Sequence, residues 1–149
     1  MLLINGALQL SASDLVGHLN CRNLTELDLA VANGTLIKPK GRNPLLDVLR
    51  ERGIRHEKEY VEHLRATGLE IHTIEGVGLD VSSIEATVEA MKAGRMVIVQ
   101  GAFRNGCWGG RTDVLLRVPT PSALGDWSYE VIDTKLARET KGGTVLQLS

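Results

Sequence analysis

Aromatic residues are scarce: two Trp, two Tyr and one Phe make up 3% of 149 residues, so the core must rest on Leu, Val, Ile and Ala. Only two cysteines occur, Cys21 and Cys107, which is too few for a disulfide framework. There is no C-x-x-C and no H-x-x-x-H, so Cys21, Cys107, His18 and His72 lack zinc-ligand spacing. Both cysteines therefore read as plain buried thiols. No apolar run is long enough to span a bilayer, and the N-terminus lacks the basic start and apolar stretch of a signal peptide. These absences point to a reducing, cytoplasmic setting. The formal net charge is only −1, so affinity for nucleic acid would have to come from a local basic patch. Gly106, Gly109 and Gly110 fit neither the dinucleotide-binding nor the P-loop pattern, and no internal repeat or low-complexity tract is present.

What is present is ordinary for a globular chain: 43% hydrophobic and 23% charged residues, at the size of one domain. We expect a single domain over 1–149, helical from about 11 to 68 and sheet-based from about 70 to 149. Ser11-Ala12-Ser13-Asp14 opens a helical pattern that runs, in one or two pieces, to Asn33-Gly34. Leu36 to Arg42 reads as a loop in which Lys38, Lys40 and Arg42 form a solvated charged face. Asn43-Pro44 suits the start of a second helix, ending near Thr67. A short strand over 70–75 follows. Ser82 to Glu85 has capping-box spacing, with Ile84, Val88 and Met91 as the apolar face of a helix that stops at Gly94. Three strands come next: Met96 to Gln100, Gly109 to Val118, and Trp127 to Lys135. Arg104 to Gly106 forms a turn, and the prolines and glycine over 119–126 mark a hairpin-type connection. A last helix begins after Gly142-Gly143 and is cut at Ser149, as in a fragment of a longer chain. This order predicts an α/β fold of α+β type, with a small mixed sheet flanked by helices.

Carboxylates in apolar strands carry the chemical signal, because a buried carboxylate is costly unless paired or metal-bound. On the second strand Val114, Leu116 and Val118 form the core-facing set, with Asp113 opposite them at the strand's start. On the third, Tyr129, Val131, Asp133 and Lys135 share a face, since side chains alternate. The bland reading is a pair of strand-end acids with Lys135 as ion-pair partner. The sharper one is metal-assisted phosphodiester cleavage. In the helix over 44–67, Leu45, Leu46, Leu49, Tyr60, Val61 and Leu64 form an apolar stripe interrupted by His56 and Glu57. A polar pair aimed at a core needs partners or a task. Arg111, Arg138 and Lys141 are candidate phosphate contacts.

In these residues the chain resembles the RecB-like nucleases of the PD-(D/E)XK superfamily. The matching features are Gly53-Ile54-Arg55-His56-Glu57 on a helix, Gly110-Arg111-Thr112-Asp113 on a strand, Asp133-Thr134-Lys135 on the next, and Gln147 on a following helix. The family's Tyr, one turn after the Gln, would fall beyond Ser149. Bacterial members in which further domains follow this one are the best match. The resemblance implies a restriction-endonuclease-like core and a divalent-metal-dependent (exo)deoxyribonuclease working in repair, recombination or defence. His56, Asp113, Asp133 and the Thr134 backbone carbonyl would ligate Mg²⁺ or Mn²⁺, with Glu57 as a partner or second-metal ligand. Lys135 would orient water or stabilise developing charge, and Gln147 would position the Lys135 end of the site. The segment from Ser11 to Cys21-Arg22 resembles the opening of members with an iron–sulfur cluster. This implies Cys21 as a 4Fe-4S ligand only in a longer parent, where three more cysteines would follow. DNA is the implied partner. The competing expectations are a non-catalytic nucleic-acid-binding module of the same fold and a metal-dependent phosphoesterase acting on another substrate.

Overall fold

The computed structural model describes residues 1–4, 6–39, 41, 44–76, 78–134 and 145. The chain divides into two compact units, one drawing on Met1–Asn43 and Arg104–Gly110, the other on Pro44–Phe103 and Arg111–Ala137.

In the first unit, β1 (Leu2–Ile4) and β2 (Ala7–Gln9) form a small antiparallel hairpin. It was not legible in advance, because three-residue strands carry too little alternation to register. Helix α1 (Ala12–Asn20) starts where Ser11 and Asp14 predict. The Asp14 carboxylate accepts from the Ser11 N–H and hydroxyl, each at 2.7 Å, and from the N-terminal ammonium at 2.5 Å. Burial alone would raise the Asp14 pKa, but the ammonium and Ser11 bonds hold it below the ordinary value. Helix α2 (Arg22–Ala32) follows at once and ends at Asn33 and Gly34, as expected. Cys21 sits in the break between the two helices, and Cys107 in the turn after β4. Both thiols are exposed, which overturns their reading as buried groups: neither position has a packed neighbour layer to enter.

The second unit is a mixed α+β layer structure. Helix α3 (Pro44–Ala66) leads to β3 (Ile71–Thr73), then α4 (Val81–Lys92), β4 (Val97–Asn105), β5 (Trp108–Val118) and β6 (Ser128–Ile132). The four strands lie in the order β3-β4-β5-β6, with β3 parallel to β4 and β5 antiparallel to β6. Helices cover both faces of this sheet. Leu64, Tyr60 and Val61 of α3 pack with Val97, Val99 and Val114 on one face. Ala86, Ala90 and Met91 of α4 pack with Ile98 and Leu115 on the other. Val114 and Leu115 are therefore both buried, at 0% and 2% exposure, which corrects the expectation of one core-facing set on β5.

Two expectations about α4 also change. Its N-cap is Asp80, whose Oδ1 accepts from the Ser83 N–H at 2.8 Å, and not the capping box at Ser82. The Ser82, Ser83 and backbone donors lower the Asp80 pKa to about 2. The buried face is Ser83, Thr87 and Ala90, whereas Val88 is exposed. Small side chains let the helix approach the sheet closely. Across from them, a Cβ added to Gly101 would lie 3.3 Å from Thr87 Cγ2 and 3.1 Å from Thr112 Oγ1.

That closeness solves a backbone problem. The β3–β4 register ends at Thr73 opposite Val99, yet β4 continues to Asn105. Unpaired buried amides are costly, so the groups beyond Val99 need other partners. The Thr87 hydroxyl accepts from the Ala102 N–H at 2.9 Å and donates to the Ser83 carbonyl at 2.7 Å. Thr87→Val keeps the shape and strands both groups, so it should cost about 1–3 kcal/mol in urea melts. Thr87→Ser should cost less. A Val variant within about 0.5 kcal/mol of the parent would show that the hydroxyl is dispensable.

Candidate functional site

The acid-bearing strands meet at one end of the sheet. Val114 pairs with Ile132 as the last registered residues of β5 and β6, so Asp113 and Asp133 flank the same end. Asp113 Oδ2 accepts two hydrogen bonds, from the Thr134 N–H and the Thr134 hydroxyl, each at 2.8 Å. These orient the carboxylate and leave Oδ1 for another partner. The Oδ2 of Asp133 is sheltered from solvent. Hard oxygen donors at adjoining strand ends match the preferences of Mg²⁺ or Mn²⁺. The remaining ligands are not gathered there: among the described residues, no set of three or more His, Cys, Asp or Glu side chains could hold a metal ion. Lys135, Arg138, Lys141 and Gln147, like Lys40 and Arg42, lie outside the described residues.

Helix α3 separates the two residues that the apolar stripe had grouped. At about 100° per residue, His56 and Glu57 point to neighbouring faces. Glu57 shares its face with Tyr60, Val61 and Leu64, which pack on the sheet, and its Oε1 accepts from Gln100 Nε2 at 2.5 Å. His56 instead lines a cavity of about 460 Å³ with Leu49, Arg52, Arg55 and Glu59. Between them, Glu57 is the α3 acid turned toward the sheet.

Gln100 had been passed over because it ends an apolar run that looked purely structural. Its backbone has φ 59°, a left-handed conformation costly for a non-glycine residue. The cost is offset by Arg111. Its Nε and Nη2 donate to the Gln100 carbonyl at 3.1 and 2.7 Å, Nη2 to Ile74 at 2.9 Å, and Nη1 to Gly76 and Gly78 at 3.0 and 3.2 Å. Every N–H of the guanidinium thus has a carbonyl partner. This corrects the assignment of Arg111 to phosphate binding, because a phosphate would have to displace bonds that hold β4. Sequence offers one signal for the change: Arg111 falls inside a strand, not on a loop. The polar Gln100 at the end of Met96-Val97-Ile98-Val99 was the corresponding signal for β4.

No family model, curated protein or solved structure matches this chain. The assignment of chemistry therefore rests on the residues themselves.

Arg111→Lys keeps the charge but replaces a planar five-donor fork with three donors on a flexible stem. We expect it to destabilise the fold by about 1–3 kcal/mol in chemical denaturation. It should leave the salt dependence of any DNA binding unchanged. An unchanged midpoint with weakened DNA binding would return Arg111 to the phosphate-contacting role.

Proposed function

We propose that this chain carries the core of a divalent-metal-dependent nuclease acting on DNA, built on a restriction-endonuclease-like sheet and working in the cytoplasm. The observation that carries the reading is the pair of hydrogen bonds from Thr134 to Asp113, which brings the Gly-x-x-Asp and Asp-x-Lys strands together at their acidic ends. Asp113, Asp133 and the Thr134 carbonyl would hold Mg²⁺ or Mn²⁺, which when bound lowers the pKa of a water and neutralises charge on the scissile phosphate. Thr134 keeps Asp113 in a fixed orientation. Glu57, held by Gln100 on the sheet-facing side of α3, is the favoured further acid, whereas the resemblance favours His56. Lys135 would stabilise negative charge on the phosphate, Gln147 would position that end of the site, and Arg138 and Lys141 would contact the DNA backbone. Cys21 would join a 4Fe-4S cluster only with cysteines supplied by a longer parent.

A second reading is favoured by one observation, the lack of a three-side-chain metal set among the described residues. On that reading the chain is a nucleic-acid-binding module without catalysis. It would show steep salt dependence and no cleavage with any divalent ion.

Cleavage of linear DNA with Mg²⁺ or Mn²⁺ separates the two. Asp133→Ala and Lys135→Ala should each lower it at least about 100-fold without a change in thermal midpoint. Calorimetric titration with Mn²⁺ then ranks the helix residues. Glu57→Gln should weaken binding about 10–100-fold, with His56→Gln having little effect. The reverse order would assign the ligand to His56, and full activity in Lys135→Ala would contradict the mechanism.

A further inference from the structure

The cavity on α3 has no role in the chemistry above. Arg52, Arg55 and His56 line it from one helix face, with Leu49 as its apolar part and Glu59 as its one acid among the described residues. Its volume, about 460 Å³, lies within the roughly 300–1,000 Å³ common for small-ligand sites.

Charge balance on this face is unusual for a merely solvated helix. Residues three and four apart are neighbours on a helix, and like charges at that spacing destabilise it. Around Arg52 those positions hold Val48, Leu49, Arg55 and His56, so the helix offers it no carboxylate. Arg55 has Glu59 at 3.8 Å, beyond hydrogen-bond distance, with both side chains about two-thirds exposed (68% and 67%). Such a pair is weak and leaves the guanidinium available. The helix also carries Gly53 beside this face, where glycine costs helix stability relative to alanine. A Cβ added at Gly53 meets nothing within 4 Å, so packing does not explain the glycine. Bare backbone there leaves room for a ligand to approach.

We propose that Arg52, Arg55 and His56 form a binding site for a phosphate oxyanion, with the phosphodiester backbone of a nucleic acid as the favoured source. Two guanidinium forks match phosphate oxygens, and a neutral imidazole adds one N–H donor. The bound anion removes the repulsion between Arg52 and Arg55. This site goes beyond the proposed cleavage chemistry and does not depend on it.

The test uses the whole chain with EDTA present, so that cleavage plays no part. Anisotropy of a fluorescein-labelled oligonucleotide gives affinity across a salt series. The Arg52→Gln/Arg55→Gln double variant should bind about tenfold or more weakly and lower the log–log salt slope by about 1–2. Arg65→Gln, on the same helix and already paired with Glu62, should bind like the parent. Circular dichroism and the thermal midpoint check that the double variant is folded. Inorganic phosphate is titrated in parallel while the His56 ring signals are followed by NMR. If phosphate shifts those signals only in the parent and oligonucleotide binding is unaffected, the site stands as one for a small phosphate ester. If the double substitution changes neither binding nor the phosphate response, or the parent binds neither probe, the proposal is overturned. Asp133→Ala should keep oligonucleotide binding, so a failure of catalysis and a failure of this site read out separately.

Discussion

The guanidinium of Arg111 gathers the carbonyls of Ile74, Gly76 and Gly78, from the chain after β3, together with that of Gln100 in β4. A three-residue strand cannot pair the full length of its nine-residue neighbour, and Arg111 supplies part of what is missing. It also holds Gln100 in its left-handed conformation, which brings that side chain to Glu57. Thr87 takes up the next orphaned amide from the other face of the sheet. The extension of β4 past β3, the closeness of α4 and the orientation of Glu57 all depend on these few polar contacts. Apolar burial at Val97, Ile98, Val114 and Leu115 makes the sheet stable, but it does not by itself select this ending.

The same logic separates two charged regions on α3. The sheet-facing side carries one acid that is hydrogen-bonded in place, and the adjoining side carries two arginines and a histidine around a cavity. A cation is favoured near the first and an anion near the second. Phosphodiester chemistry calls for both, since the substrate is an anion and its cleavage is assisted by a cation.

Much of this architecture was legible in the chain. Helix α3 appeared where Asn43-Pro44 and the Leu stripe indicated, and the hairpin-linked strands fell close to their expected places. Alternation could not say that Val114 and Leu115 are both covered, because a two-sided core requires knowing that α3 and α4 lie on opposite faces. The buried face of α4 was hidden for a related reason: Ser83 and Thr87 look polar, yet their hydroxyls are satisfied by local carbonyls and by Ala102. Asp113 and Asp133 could be placed together from sequence because strand pairing is a regular constraint. The separation of His56 from Glu57 could not, because an apolar stripe marks a broad arc and neighbouring residues can fall on either side of it.

The central claim is that a divalent cation is held where the acidic ends of β5 and β6 meet. Paramagnetic broadening by substoichiometric Mn²⁺ in amide NMR spectra tests it without relying on turnover. The amide signals of Asp113, Asp133 and Thr134 should broaden first, with Glu57 close behind, and Asp113→Asn should abolish the effect. Broadening confined to scattered surface acids such as Asp28 and Glu85, with Asp113 and Thr134 still sharp, would contradict it.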